Sequence, residues 1–255
     1  VIDSNCADAL RLYLINSPVV RAETLKFSEQ GVNETVRGVL LPWYNAFRFF
    51  MQCAEAWEVK NGQDFVPDVK VATSSDNNVD IWILAAAAGL VEFVHKEMKA
   101  YRLYTVVPRL VDFIQQLTNW YVRLNRDRIK GVLGPEGAVF GLNVLYEVLM
   151  TMTQIMAPFT PFFSEYLYGY LRKFQTLYGN TDPAVPEDAM GKSKSVHFLM
   201  LPTADPARLN QLAVDRFNTL QQAVVQARIG RERRKIRSNL PLKNAVVIAA
   251  NAKYV

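Results

Sequence analysis

The stretch from Val111 to Gly131, VDFIQQLTNWYVRLNRDRIKG, carries two stripes at helical spacing, and this constrains the chain more than any other feature. Leu110, Phe113, Ile114, Leu117, Trp120, Tyr121 and Leu124 recur every third or fourth residue, as on the buried face of a helix. Gln116, Asn119, Arg123, Arg126 and Lys130 keep the same spacing on the other side. A helix of this kind needs a core behind it and something polar in front. Guanidinium and amide groups held on a rigid helix suit phosphates and base edges; the plainer reading is a solvated face.

With 255 residues, half of them hydrophobic, the chain can bury a sizeable core and is not of the disordered class. Its longest apolar run, Val79 to Val94, is interrupted by Asp80 and Glu92, and no run reaches the about 18 uncharged residues of a membrane span. We therefore expect no membrane partner. The chain starts at Val1 without a basic stretch leading into an apolar core, so it reads as an excised piece with no secretory leader. Two cysteines, Cys6 and Cys53, and two histidines, His95 and His197, are too scattered for a zinc cluster, and we expect reduced thiols and no metal. The charge is concentrated. Between Gln226 and Lys243 seven basic residues face Glu232 alone, a net of +6 in a chain whose total is +5. Such a segment attracts polyanions with a strength that falls with salt.

In chain order, Asp8 to Asn16 reads as a short helix stopped by Ser17-Pro18, and Val19 to Phe27 as extended. Ser28 caps a long helix through Ala54, bent at Pro42. Glu58 to Asn78 is a polar loop, and Asn77 to Asp80 opens a helix through Arg102 whose alanines Ala85 to Ala88 allow a close neighbour. Tyr104-Thr105 breaks the run, and Pro108 falls in the first turn of the next helix. Gly131, Gly134, Pro135 and Gly137 make a turn before an apolar helix from Ala138 to Met156; a further helix ends at Phe174. Leu177 to Ser195 is a loop, Val196 to Leu201 a candidate strand, Asp205 to about Ile236 a long helix, and Leu240 to Ala250 a second candidate strand. These elements predict an all-α bundle with a small mixed α/β C-terminal piece. The division is a connector at 1–27, a bundle at 28–180 and a basic helix with a further subdomain at 181–255.

Catalytic signatures are missing. Gly191-Lys192-Ser193 lacks the upstream glycines of a phosphate loop, no GxSxG occurs, and neither histidine sits in a triad context. Asp112 and Asp127 lie among basic residues and read as ion-pair partners. Two constellations remain besides the arginine-rich end. Tyr44, Asn45 and Arg48 can face away from the core side of Trp43 and Phe47, where a tyrosine stacks on an unpaired base and an amide or guanidinium reads its edge. Asn119, Arg123 and Arg126 form the second. Helix packing accounts for either one alone; a single RNA surface accounts for all three segments.

Several stretches, taken in order, resemble the helical half of class I aminoacyl-tRNA synthetases, specifically the anticodon-binding domain of the eukaryotic-type cytosolic isoleucyl-tRNA synthetases. They are Ala7 to Glu23 (ADALRLYLINSPVVRAE), Val39 to Ala46 (VLLPWYNA), Asn119 to Arg126, Ala157 to Phe162 (APFTPF), Ser195-Val196-His197 and Ile236 to Leu242 (IRSNLPL). The valyl and leucyl relatives share the architecture, but SPVVRAE looks isoleucyl. The resemblance implies a catalytic domain with HIGH and KMSKS signatures upstream; neither motif occurs here, so this fragment would be non-catalytic and would take no cofactor, ATP with magnesium belonging to the parent enzyme. It implies isoleucine tRNA as partner, a cytoplasmic location, and a possible multisynthetase complex through regions beyond this chain. Tyr44, Asn45, Arg48, Asn119, Arg123 and Arg126 would contact the anticodon loop, and Arg231, Arg234 and Arg237 would hold phosphates. The competing class is a helical protein-interaction module whose basic tail binds an acidic partner.

Overall fold

The computed structural model describes residues 1–176, 194–237, 239–244 and 246. Eleven α-helices occur among them: α1 (Ile2–Asn5), α2 (Ala7–Ile15), α3 (Glu29–Thr35), α4 (Leu41–Asn61), α5 (Val69–Thr73), α6 (Asn78–Lys99), α7 (Leu103–Gln116), α8 (Arg123–Ile129), α9 (Pro135–Met156), α10 (Pro161–Thr176) and α11 (Gln211–Arg233). There is no strand among the described residues, as an all-α bundle requires. The centre is α9, flanked by α4, α5, α6, α8 and α10. Its Leu142, Val144, Leu145, Leu149, Met152 and Met156 are fully buried. The stretch that reads as dominant in the sequence is thus one wall of the bundle. Both α6 and α9 are long and apolar enough to cross a membrane, and both turn most of their apolar residues into this core.

Helix starts follow side-chain chemistry. Ser28 Oγ accepts the Gly31 N–H at 3.3 Å, and Asn77 Oδ1 accepts the Val79 N–H at 2.8 Å. The start of α10 is capped from far along the chain: the Asp8 carboxylate accepts the Phe163 N–H at 2.6 Å. Arg11, one turn later on α2, donates to the carbonyls of Pro158 and Phe159. The segment read as a connector is therefore fastened to the α9–α10 corner.

Two helices continue through π-turns, Val36–Leu40 between α3 and α4 and Leu117–Val122 between α7 and α8. Pro42 has no N–H for the Gly38 carbonyl four residues back. The chain answers with the wider turn, and the Gln115 side chain donates to that carbonyl at 2.8 Å. Two rods result, 29–61 and 103–129.

Several expectations need correction. The break after α6 lies at Tyr101, not at Tyr104-Thr105; Tyr101 takes a left-handed φ of 57° while Arg102 N–H reaches the Glu97 carbonyl. Pro108 sits inside α7 rather than in its first turn. Val19 to Phe27 is not wholly extended, because Pro18–Arg21 is a 3₁₀ turn with Ser17 at its start. The Glu58–Asn78 loop begins only after Asn61 and holds α5. Val196–Phe198 is a 3₁₀ turn, not a strand: Glu165 accepts both the Ser195 hydroxyl and the Val196 N–H, so no strand partner is needed. Another 3₁₀ turn, Pro206–Arg208, precedes α11, which starts at Gln211 and not at Asp205. The loop 177–193, with Gly191-Lys192-Ser193, lies outside the described residues, as do 245 and 247–250 of the second candidate strand, while 240–244 and 246 are not in a strand.

Candidate nucleic-acid interface

The two rods lie side by side and run the same way. Gln115 joins Gly38 at one level, and the Arg126 guanidinium lies 5.9 Å from the Phe49 ring centroid at another, the same number of residues further along each rod. Between these ties, Asn45 and Arg48 on α4 and Asn119 and Arg123 on the second rod are all exposed, as is Arg126 itself. Asn119 donates to Gln115 Oε1 at 2.6 Å, so the amide that holds the rods together also orients the amide beside it. Five of the expected site residues therefore share one ridge pair.

The remaining four are placed differently. Tyr44 is half-buried, tilted against Phe47 with ring centroids 6.1 Å apart, on the side of α10. There it joins Tyr166 and Tyr170; hydrogen bonding with Tyr170 leads the causes that raise the Tyr166 phenol above its ordinary range, with Tyr44 contributing. Just past the end of α11, Arg234 and Arg237 are exposed. Arg231 is not: its Nη1 donates to the carbonyls of Arg237 at 3.0 Å and Leu240 at 2.9 Å. These bonds fold the chain back after α11, whose end is closed by Lys235 at φ 55° and by Ile236 N–H reaching the Arg231 carbonyl.

The predicted polar stripe also loses Gln116, which bonds Asp112 at 2.8 Å and lines a cleft against the start of α11. The π-turn after it explains the loss, since a wider turn rotates every later side chain relative to the earlier ones. Thr118, within that turn, donates to the Ile114 carbonyl at 2.8 Å.

What fixes α8 is a buried polar network. Asp80 is fully buried and receives the Ser75 hydroxyl at 2.6 Å, the Tyr121 hydroxyl at 2.9 Å and Arg128 Nη2. Arg128 also donates to Asn125 Oδ1 at 2.9 Å, and Asn125 donates to the Tyr121 carbonyl at 3.0 Å. Burial and the neighbouring Asp80 hold the Tyr121 phenol well above its ordinary range. Behind the network, Gly141 lets α8 approach α9, for a Cβ there would stand 2.7 Å from Ile129 Cγ1. None of Asp80, Tyr121, Asn125 or Arg128 was among the expected site residues. The signal was present: an acid inside an apolar run, opposite a tyrosine on an apolar stripe, has to find a cation.

α11 is attached mainly through Phe217, its one buried residue among those described. Phe217 stacks on Trp82 with centroids 3.6 Å apart and meets Trp120 edge-on at 6.0 Å. Beyond it no residue of the helix is buried, Leu220 and Val225 being exposed, and Arg228 and Arg233 on the helix stand in solvent with Arg234, Lys235 and Arg237 after its end.

Both histidines have carbonyl partners: His95 Nε2 lies 2.7 Å from the Pro202 carbonyl and His197 Nε2 3.2 Å from that of Pro161. Asp112 approaches Arg109 at 3.9 Å. No group of three potential metal ligands occurs among the described residues.

The profile described as "Anticodon-binding domain of tRNA ligase" matches residues 80–247. The "Probable isoleucine--tRNA ligase, cytoplasmic" of Dictyostelium discoideum is 47% identical over 255 residues, all of this chain and 23% of its own length. The "Isoleucine--tRNA ligase, cytoplasmic" of Schizosaccharomyces pombe is 46% identical, again over all of this chain and 23% of its own. The "Isoleucine--tRNA ligase" of Bdellovibrio bacteriovorus is 40% identical over 255 residues, 22% of its length. The chain thus spans less than a quarter of these relatives, and it belongs to the anticodon-binding domains of tRNA ligases, on the isoleucyl-tRNA synthetase branch.

Proposed function

We propose that this chain grips the anticodon stem and loop of isoleucine tRNA, so that the parent enzyme can join isoleucine to that tRNA with ATP. The observation that carries the proposal is the shared exposure of Asn45, Arg48, Asn119, Arg123 and Arg126 on two parallel rods tied together at Gln115 and Phe49. Amide and guanidinium groups at that spacing suit the edges of unpaired bases and the phosphates between them. Tyr44 takes a supporting place at the margin of the ridge, while Arg234 and Arg237 hold phosphates further along the RNA and Arg231 keeps their segment folded. The contribution to catalysis is positioning: binding energy gained at the anticodon holds the acceptor end where the chemistry occurs. ATP, magnesium and isoleucine belong to other parts of the parent polypeptide, its location is the cytoplasm, as for the relatives so named, and any assembly with other synthetases would use regions outside this chain.

The test compares two reactions of the parent enzyme. Arg123→Ala together with Arg126→Ala should weaken isoleucine tRNA binding by at least tenfold, about 1.4 kcal/mol, and leave ATP-dependent isoleucine activation unchanged. A valine tRNA serves as control. Equal loss of both reactions points to misfolding, and unchanged tRNA affinity would remove these arginines from the interface.

A further inference from the structure

The alanines Ala85 to Ala88 on α6 leave room for close neighbours, and two of them use it. Ala85 and Ala86 line a cleft against the start of α11. Ala87 and Ala88 face the strap 199–210 that leads into α11, across a gap of about 80 Å³ that Glu147 and Thr151 of α9 also line. Polar pins span this gap. His95 Nε2 meets the Pro202 carbonyl at 2.7 Å, and the Arg208 guanidinium reaches two further helices: Nη1 pairs with Glu147 on α9, and Nη2 donates to Thr73 Oγ1 on α5 at 2.8 Å. Asp205, on the strap itself, lies 3.6 Å from Arg208 Nε. The side chains of Arg208 and Glu147 are only 16% and 18% exposed, so dissolved salt screens the pair little.

Arg208 thus pins the chain just before α11 begins at Gln211, and Phe217 pins the helix itself. Two anchors fix a direction where one alone leaves a pivot. The helix ends at Arg233, about 24 Å past Phe217 at about 1.5 Å per residue, and its start lies about 9 Å before Phe217. As a lever of those arms, a shift of about 1 Å at the start becomes about 3 Å at the end, where the exposed Arg234 and Arg237 follow. A displacement of that size takes a guanidinium out of hydrogen-bonding reach of a phosphate.

We propose that Glu147 and Arg208 are positioning residues for tRNA binding: the pair aims α11 so that Arg234 and Arg237 stand where phosphates of the bound tRNA pass. Neither side chain touches the RNA. The inference rests on the tRNA-gripping reading and adds to it that a carboxylate on the central helix of the bundle strengthens the binding of a polyanion. Coulomb's law alone gives the opposite sign, because removing a negative charge favours a polyanion.

Glu147→Gln in the parent enzyme separates the two signs. It keeps the length of the side chain and removes its negative charge, yet it should weaken isoleucine tRNA binding about four- to fivefold at about 0.15 M salt and lower the slope of log K against log salt by about 0.7 to 0.9, the effect of one lost phosphate contact. With Arg234→Ala and Arg237→Ala already in place, Glu147→Gln should change neither quantity further, since the residues it acts through are gone. Amide exchange in α9 as slow as in wild type shows that the bundle is intact. Should α9 exchange faster, Arg208→Lys takes the place of Glu147→Gln: it keeps the positive charge, loses the fork that spans Glu147 and Thr73, and should lower the slope by the same amount. Tighter binding or an unchanged slope overturns the proposal, and so does a loss that persists in full without Arg234 and Arg237. If Arg234→Ala with Arg237→Ala leaves the slope of the otherwise wild-type enzyme unchanged, the phosphate-holding reading of the basic end falls, and this inference with it. If that double variant lowers the slope and Glu147→Gln does not, only the role of the pair falls.

Discussion

The Glu97 carboxylate is held by Arg102 through two short contacts, 2.7 Å to Nε and 2.6 Å to Nη2, and by the Thr105 hydroxyl at 2.8 Å. These hydrogen bonds, Arg102 first, lower its pKa from 4.5 to about 2. A carboxyl with a depressed folded pKa stabilises the native state fully above its unfolded value and loses that contribution as pH falls towards the folded one. Stability should therefore drop between about pH 4.5 and 2, and Glu97→Gln should flatten that part of the curve in urea unfolding measured across the acid range. Asp8 works in the opposite direction, since burial raises its pKa, so the wild-type minus variant difference isolates Glu97. Asp80 concerns charge rather than titration. Asp80→Ala would strand Arg128, whose side chain is only 13% exposed, at a cost of about 3–5 kcal/mol. Tyr121→Phe, which removes one of three donors and leaves the ion pair, should cost about 1 kcal/mol; equal losses in the two variants would show that the hydroxyl, not the charge pair, holds α8 in place.

At the scale of elements, what could be read from the sequence follows a physical division. Helix starts were legible at Ser28 and Asn77 because a short polar side chain satisfies the first free N–H groups locally. Helix ends were not, where the left-handed residue is Tyr101 or Lys235 and no glycine marks the place. The π-turns escaped as well. Pro42 foretold a disturbance in the ladder, but its form depended on Gln115, a residue remote in sequence that supplies the missing donor. The ridge residues Asn119, Arg123 and Arg126 were legible because their exposure follows from the apolar stripe behind them. The cleft of about 510 Å³ that Trp57, Lys60 and Lys130 line together was not, because it forms only after α4 and α8 have packed. The attachment of α11 belongs to this scale too. With Phe217 as its one buried residue, Phe217→Ala should cost about 3–5 kcal/mol of local stability. Amide exchange along 211–233 should accelerate while that of α9 stays slow. Uniform acceleration across the bundle would show instead that α11 is integral to the global fold.

For the whole molecule, the distribution of charge separates two tasks. The segment 226–243 carries +6 while the rest of the chain carries −1, so long-range attraction to a polyanion comes almost wholly from the end of α11 and the residues after it. The ridge on the two rods adds few charges, but it has amides fixed by neighbours and arginines on rigid helices. The proposed function, in which a polyanion is drawn by the first and read by the second, has a specific outcome. Arg234→Ala with Arg237→Ala should reduce the salt slope of tRNA binding by roughly 1.4 to 1.8, at about 0.7 to 0.9 per phosphate contact, and should weaken isoleucine and valine tRNAs alike. Asn119→Ala should leave the slope as it is and narrow the preference for isoleucine tRNA, because an uncharged amide releases no counterion. Arg231→Ala belongs with neither: its guanidinium holds the carbonyls of Arg237 and Leu240, so its loss should loosen the whole basic end and lower the slope by more than one contact. Titrating both tRNAs at several salt concentrations tests the scheme, and a change in slope for Asn119→Ala, or a change in preference without one for Arg234→Ala with Arg237→Ala, would reverse the assignment of the two surfaces.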